Sequence, residues 1–233
     1  IIMTATTETR ITAWLAERKE AMVDLLREVV DIDSGSYDKA GVDAVGARFE
    51  RFFEEQGISS WREHHEVYGD AIHALVAEPG SNEKPILLLG HRDTVFPKGE
   101  VSRRPFSIEG GRAYGPGVAD MKAGLVMNVF VAAAFRALGG APCPIHVLIT
   151  SDEEIASPSS RPIIEREGRA SRAVYNSEPG RPSGNVTTAA GSVEELAASI
   201  GEIASQAQKS TNVAERAVAE ARRTSVTMAE LAN

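Results

Sequence analysis

The chain has 233 residues, 42% of them hydrophobic, enough to bury a core in one large domain or two small ones. Its formal net charge of −8 argues against a general nucleic-acid or anionic-membrane binder, because either needs a basic face. The single cysteine, Cys143, excludes an intrachain disulfide and suits a reducing compartment. It stands in Ala141-Pro142-Cys143-Pro144, with no helix start or nearby histidine to lower its pKa, so it reads as a thiol at a strand entrance.

Residues 1–18 are polar and mixed, without the apolar core of a signal peptide. No run is expected to reach the roughly 20 apolar residues of a membrane span, so the expected location is the cytoplasm. Thr12 to Asp31 carries Trp14, Leu15, Met22, Leu25, Leu26, Val29 and Val30 at helical spacing. Gly41 to Gln56 reads as a second helix, closed by Gly57. Ala71 to Ala77 reads as a strand. Ile86-Leu87-Leu88-Leu89 is a short apolar run of the kind buried on both sheet faces. Asp120 to Leu138 is a long apolar helix ended by Gly139-Gly140. Ile145 to Thr150 reads as a buried strand, Arg161 to Glu167 as a helix, and Ala173 to Ser177 as a further strand. This alternation predicts an α/β fold, a three-layer α/β/α sandwich with a mostly parallel central sheet.

The pattern changes near residues 188–192. All 11 prolines fall at or before Pro182, and the last aromatic residue is Tyr175. Beyond that point Val193, Leu196, Ile200, Ile203, Ala207, Ser210, Ala214, Ala217, Ala221, Thr224, Met228 and Leu231 follow a three-four heptad spacing. The expected division is a domain over 1–189 and a helical, coiled-coil-like tail over 190–233, with self-association through the tail as one expectation. As one straight helix the tail would span about 65 Å. A domain of that size has a radius of gyration of about 16 Å, so the tail would have to project, fold back or pair.

Three polar clusters follow predicted strands. Leu89 leads into Gly90-His91-Arg92-Asp93, Thr150 into Ser151-Asp152-Glu153-Glu154, and Ser177 into Glu178. Parallel α/β sheets gather their strand carboxyl ends on one edge, where ligands bind. A fourth element, Gly115-Pro116-Gly117-Val118-Ala119-Asp120-Met121-Lys122, is a glycine-rich turn that sets Asp120 at the start of the long helix. His91, Asp93, Asp120, Glu153, Glu154 and Glu178 would then share one crevice, where mutual repulsion raises carboxylate pKa values. A divalent cation removes that conflict, and imidazole with carboxylates is a set that Zn²⁺ accepts. Taken singly, each has a plainer reading: Asp152-Glu153-Glu154 as a solvated helix cap, Asp120 as a helix-start residue, His91 as structural.

The stretches Gly90-His91-Arg92-Asp93-Thr94-Val95, Tyr114 to Gly124, Thr150-Ser151-Asp152-Glu153-Glu154 and Ser177-Glu178-Pro179 resemble four metal-site motifs of one family. It is the co-catalytic zinc metallopeptidase family of glutamate carboxypeptidase (carboxypeptidase G), acetylornithine deacetylase, succinyl-diaminopimelate desuccinylase and aminoacylase. The resemblance covers about residues 10–189. It implies that His91 and Glu178 ligate one zinc, that Asp120 bridges two, and that Glu154 ligates the second. It further implies that Asp93 holds the His91 imidazole and that Glu153 is the general base of amide hydrolysis beside a free carboxylate. The implied substrate is a small peptide or N-acyl amino acid. A cis peptide after the bridging aspartate is also implied, here Asp120–Met121.

The same resemblance implies a lid domain and a returning catalytic segment that supplies the second zinc's histidine; 190–233 resembles neither. Four of five usual ligands are therefore expected, with at most one well-held metal. His64, His65, His73 and His146 are not expected to replace the missing ligand. The tail is instead similar to a cytoplasmic helix of methyl-accepting chemotaxis receptors. An active zinc hydrolase, an inactive hydrolase fragment joined to an interacting coiled coil, and a non-functional chimera all remain open at this point.

Overall fold

The computed structural model describes residues 6–78 and 81–180. All of them fall within one compact unit, Ile1–Val193. The proposed tail lies outside the described residues.

The chain opens with α1 (Thr7–Ala16) and α2 (Lys19–Val30), where one helix from Thr12 to Asp31 was expected. Periodicity carries across the break, but Arg18 ends the first helix. Its guanidinium lies 3.7 Å from the Trp14 ring centroid and donates to the Trp14 carbonyl at 3.0 Å. The helix α3 (Lys39–Glu55) is started by Asp38, whose carboxylate accepts the Gly41 amide. The strands β1 (Ser59–Glu63), β2 (Ala71–Val76) and β3 (Ile86–His91) come next. A short helix α4 (Glu100–Arg103) and the small hairpin β4 (Ser107–Glu109) and β5 (Arg112–Tyr114) follow. Then come α5 (Ala123–Leu138), β6 (Ile145–Thr150), α6 (Arg161–Ala170) and β7 (Ala173–Asn176).

The main sheet has the order β1-β2-β6-β3-β7. β6, β3 and β7 run parallel, while β2 pairs antiparallel with both β1 and β6. The sheet is mixed, with only β2 running against the other four strands, and its parallel part is the part that carries the site. The exposed strand β1 escapes sequence reading, because Ser59-Ser60-Trp61-Arg62-Glu63 is an edge with little apolar content.

On one face, Ile72, Ala74, Val76, Leu88, Ile145, Val147 and Ile149 join the core with α2, α3 and α5. α5 packs against α1, α2 and α3 and against β2, β3 and β6. That position explains its near-uniform apolar character, which by length and composition makes Val118–Leu138 a candidate membrane span, contrary to expectation. Its burial among helices and strands identifies it as a core helix. Phe130 anchors it, with ring centroids 4.9 Å from Phe52 and 6.5 Å from Trp14.

The other face carries a buried histidine pair. His73 Nδ1 and His146 Nε2 lie 3.0 Å apart, and Trp61 stacks over both rings. Glu63 stands 3.7 Å from His73, and Glu167 of α6 stands 3.6 Å from His146. Arg166 pairs with both carboxylates. Burial, aided by the neighbouring His73, pushes His146 down to about 4. An unfolded chain holds the ring near 6.5, so between 6.5 and 4 the unfolded state binds the extra proton. Stability is fully present above pH 6.5 and is lost as pH falls through that window. Thermal melts at pH 7.5 and pH 5 should therefore show a smaller acid-induced drop for His146→Gln than for the parent, by about 5 °C. Equal drops would refute the assignment.

Candidate metal centre

The parallel strands fix the site by register. β3 and β6 pair so that His91 lies opposite Thr150, and β7 pairs with β3 as far as Asn176 opposite Leu89. His91, the segment 151–154 and Glu178 therefore leave the sheet along one edge. Asp120 arrives from the other side of β3. It does not begin a regular helix, as the sequence suggests. Val118–Lys122 is a wide, irregular turn in which Asp120 has φ −121° and ψ 100°. The Asp120–Met121 peptide is cis, as the family resemblance implies.

The imidazole of His91 is 1% exposed, and its Nε2 faces three carboxylates. Asp120 Oδ1 lies at 3.1 Å, Glu178 Oε1 at 3.6 Å and Glu153 Oε2 at 3.8 Å. Ligand atoms of His91, Asp120 and Glu154 all lie within 4.8 Å of one another. Two atoms each about 2.0–2.1 Å from a tetrahedral zinc stand about 3.4 Å apart. The His91–Asp120 and His91–Glu178 separations bracket that value, so the donor set fits a cation.

The electrostatics agree. Burial works against a charge on His91, but hydrogen bonds to Asp120, Asp93 and Glu178 outweigh it and hold the imidazole well above its ordinary range. Burial pushes Glu154 up to about 7, with Asp120, Glu153 and Asp93 adding to the rise. Burial raises Glu153 as well. Without a cation the cluster thus holds protons against its own acidity, and metal binding would have to displace them.

Asp93 organises the centre from behind. Its carboxylate is 0% exposed. Oδ1 lies 3.2 Å from His91 Nδ1 and accepts the Glu153 amide at 3.1 Å. Oδ2 accepts the Glu154 amide at 3.1 Å and the Ser36 hydroxyl at 2.7 Å. These bonds outweigh burial and lower its pKa.

The sequence singles out His91, Asp93, Asp120, Glu153, Glu154 and Glu178, and the structure brings all six together. It leaves four histidines elsewhere. His73 and His146 form the buried pair, His64 pairs with Asp70, and His65 accepts backbone amides of Val67 and Tyr68. His64 and His65 lie just beyond the end of β1. Asp152 turns away from the cluster to the turn before α6, accepting from Ser159 and Ser160.

Several supporting residues escape sequence reading. Buried Arg92 donates to the carbonyls of Val42, Ile149, Thr150 and Asp70 and to Asp43, locking β3 to α3 and β6. Buried Lys122 donates to the carbonyls of Val29 and Ile32, tying the Asp120 turn to the end of α2. Burial pushes it down to about 7. Asn128 donates to Leu89 and accepts from Ser177, holding the segment before Glu178. A polar residue inside an apolar helix, as at Asn128, was the available signal.

The description Peptidase family M20/M25/M40 matches residues 87–231. The chain belongs to this family. It is 32% identical over 166 residues to carboxypeptidase G2 of Pseudomonas sp. (strain RS-16), a match covering 70% of this chain and 40% of that protein. It is 41% identical over 96 residues to succinyl-diaminopimelate desuccinylase of Gluconobacter oxydans (strain 621H), covering 39% of this chain and 25% of the relative. Among solved structures, an M20 family metallo-carboxypeptidase from Sulfolobus solfataricus superposes with a TM-score of 0.59 at 21% identity, covering 70% of this chain and 39% of that one. That likeness establishes the fold. The chain spans about two fifths or less of the length of these relatives. The family match crosses the boundary expected near residues 188–192, and none of the relatives named above supports the chemoreceptor resemblance.

Asp93→Asn keeps the shape of the group but sets an amide donor against backbone N–H donors. It should lower stability by about 1–3 kcal/mol and weaken metal affinity about 10–100-fold. Chemical denaturation and zinc competition measure both. An unchanged affinity would show that Asp93 does not position His91.

Proposed function

We propose that this chain carries the metal-binding part of a zinc-dependent hydrolase that cleaves an amide or peptide bond next to a free carboxylate. The substrate is a small peptide or N-acyl amino acid. The observation that carries this reading is the convergence of buried His91 with Asp120, Glu153, Glu154 and Glu178 at the carboxyl edge of parallel strands. Family membership and the similarity to a carboxypeptidase and a desuccinylase support it.

His91, Asp120 and Glu178 would hold one cation, with Asp120 shared towards a second at Glu154. When bound, the metal supplies Lewis acidity and lowers the pKa of water from 15.7 towards about 7. Asp93 keeps the His91 Nδ1 engaged, so that Nε2 presents its lone pair to the cluster. Glu153 accepts the proton of the attacking water and returns it to the leaving amine. Its raised pKa makes it a better proton acceptor than an ordinary exposed carboxylate.

Glu153→Gln removes this proton acceptor without touching a proposed ligand. It should cut hydrolysis of an N-acyl glutamate about 10²–10⁴-fold while zinc content stays at the parent level. Activity equal to the parent would exclude Glu153 as the base.

A further inference from the structure

The loop that carries Glu153 and Glu154 is closed by a residue outside the donor cluster. Asp152 is 0% exposed. Its Oδ2 accepts the Ser159 amide at 2.6 Å, the Ser159 hydroxyl at 2.7 Å and the Ser160 amide at 3.3 Å, and its Oδ1 accepts the Ser160 hydroxyl. Its carbonyl accepts the Ser157 amide at 2.8 Å. Every one of these donors comes from beyond the two glutamates, so residues 152–160 form a ring tied at Asp152. The start of the ring is fixed to the sheet. The Ser151 hydroxyl donates to the Gly69 carbonyl at 2.6 Å, and Arg92 holds the carbonyls of Ile149 and Thr150.

A helix cap is the plainer use of such a carboxylate, and the bonds speak against it. The helix α6 begins at Arg161, whose amide donates to the Ser157 carbonyl at 3.1 Å. The amides that Asp152 accepts belong to Ser159 and Ser160, which precede the helix. Within the ring the backbone is strained. Ala156 has φ 70° and Ser157 φ 54°, a left-handed conformation that a Cβ disfavours. Among the described residues these are the non-glycine residues with positive φ. Such strain persists where the surroundings over-determine it, and it gathers at functional sites. Here it follows directly on the short turn Glu153–Ile155, so the turn that bears the acids does not run on into α6. The Asp152 bonds span the strained pair and hold it shut. From the other side Asp93 accepts the amides of Glu153 and Glu154. The two acids are thus held between two fully buried carboxylates.

We infer that Asp152 is a positioning residue: by closing the 152–160 ring it sets where the carboxylates of Glu153 and Glu154 stand against His91. The inference rests on the hydrolase reading for what those carboxylates do, but not for how they are held. Amide hydrogen exchange on the full chain, with zinc competition on the same samples, tests it. Asp152→Ala should speed exchange at the Glu153 and Glu154 amides and weaken zinc binding about tenfold or more. Asp152→Asn should restore most of both, because the Ser160 hydroxyl can accept from the new amide group while the remaining oxygen keeps its other donors. Ser160→Ala removes the partner of Oδ1 alone. It should give a smaller change in the same direction, and it carries the test if Asp152→Ala does not fold. Faster exchange confined to residues 159–164, with zinc affinity unchanged, is what a role at the helix start alone produces and would overturn the inference. Parent-like exchange and affinity in both alanine variants would overturn it as well. Glutamate release from an N-acyl glutamate is followed separately. Exchange at Glu153 and Glu154 that follows Asp152, in a parent that binds no zinc and releases no glutamate, supports the positioning and contradicts the hydrolase reading.

Discussion

The fully buried carboxylate of Asp93 is the constraint on which the rest of this molecule depends. It meets an imidazole, a hydroxyl and two backbone amides, drawn from the ends of β3 and β6 and the loop before α3. A buried charge without partners would cost several kcal/mol. Asp93 has partners on both oxygens, so satisfying it forces three separate stretches of chain into one arrangement. Behind it, Arg92 repeats the logic with the opposite charge. Its guanidinium finds four carbonyls and one carboxylate while fully buried. Two adjacent residues of opposite sign, pointing to opposite sides of a strand end, fasten the sheet edge to the layers around it.

This scaffold lets a cluster of acids exist without collapsing. Asp120, Glu153, Glu154 and Glu178 surround one imidazole. Hydrogen bonds raise the His91 pKa against burial, and burial raises Glu154 to about 7. A metal bound by the folded chain alone would add to its stability.

Much of this was legible in the sequence because the chemistry sits at strand ends. Ile145–Thr150 has the bounds expected for it, since an apolar run between proline and acids leaves little choice. His91, Glu153, Glu154 and Glu178 follow from the same rule. Asp120 joins the cluster but was expected on a helix, because helical periodicity in Leu125, Val126 and Val129 masks the irregular turn before it. What stayed hidden depends on partners far along the chain. The break between α1 and α2 is set by Arg18 over Trp14, and the edge strand β1 by pairing with β2. Ser36, Lys122 and Asn128 act through backbone atoms that only the fold brings near. The alanine-rich heptads of 190–233 suggested a chemoreceptor, whereas the family match continues through them to residue 231.

Zinc content per chain, after metal-free purification and titration, tests the central claim most directly. A folded chain should retain about one tightly held zinc, and His91→Ala should lose it while the thermal transition persists. No zinc above background in the folded parent, or the same content in His91→Ala, would contradict the account.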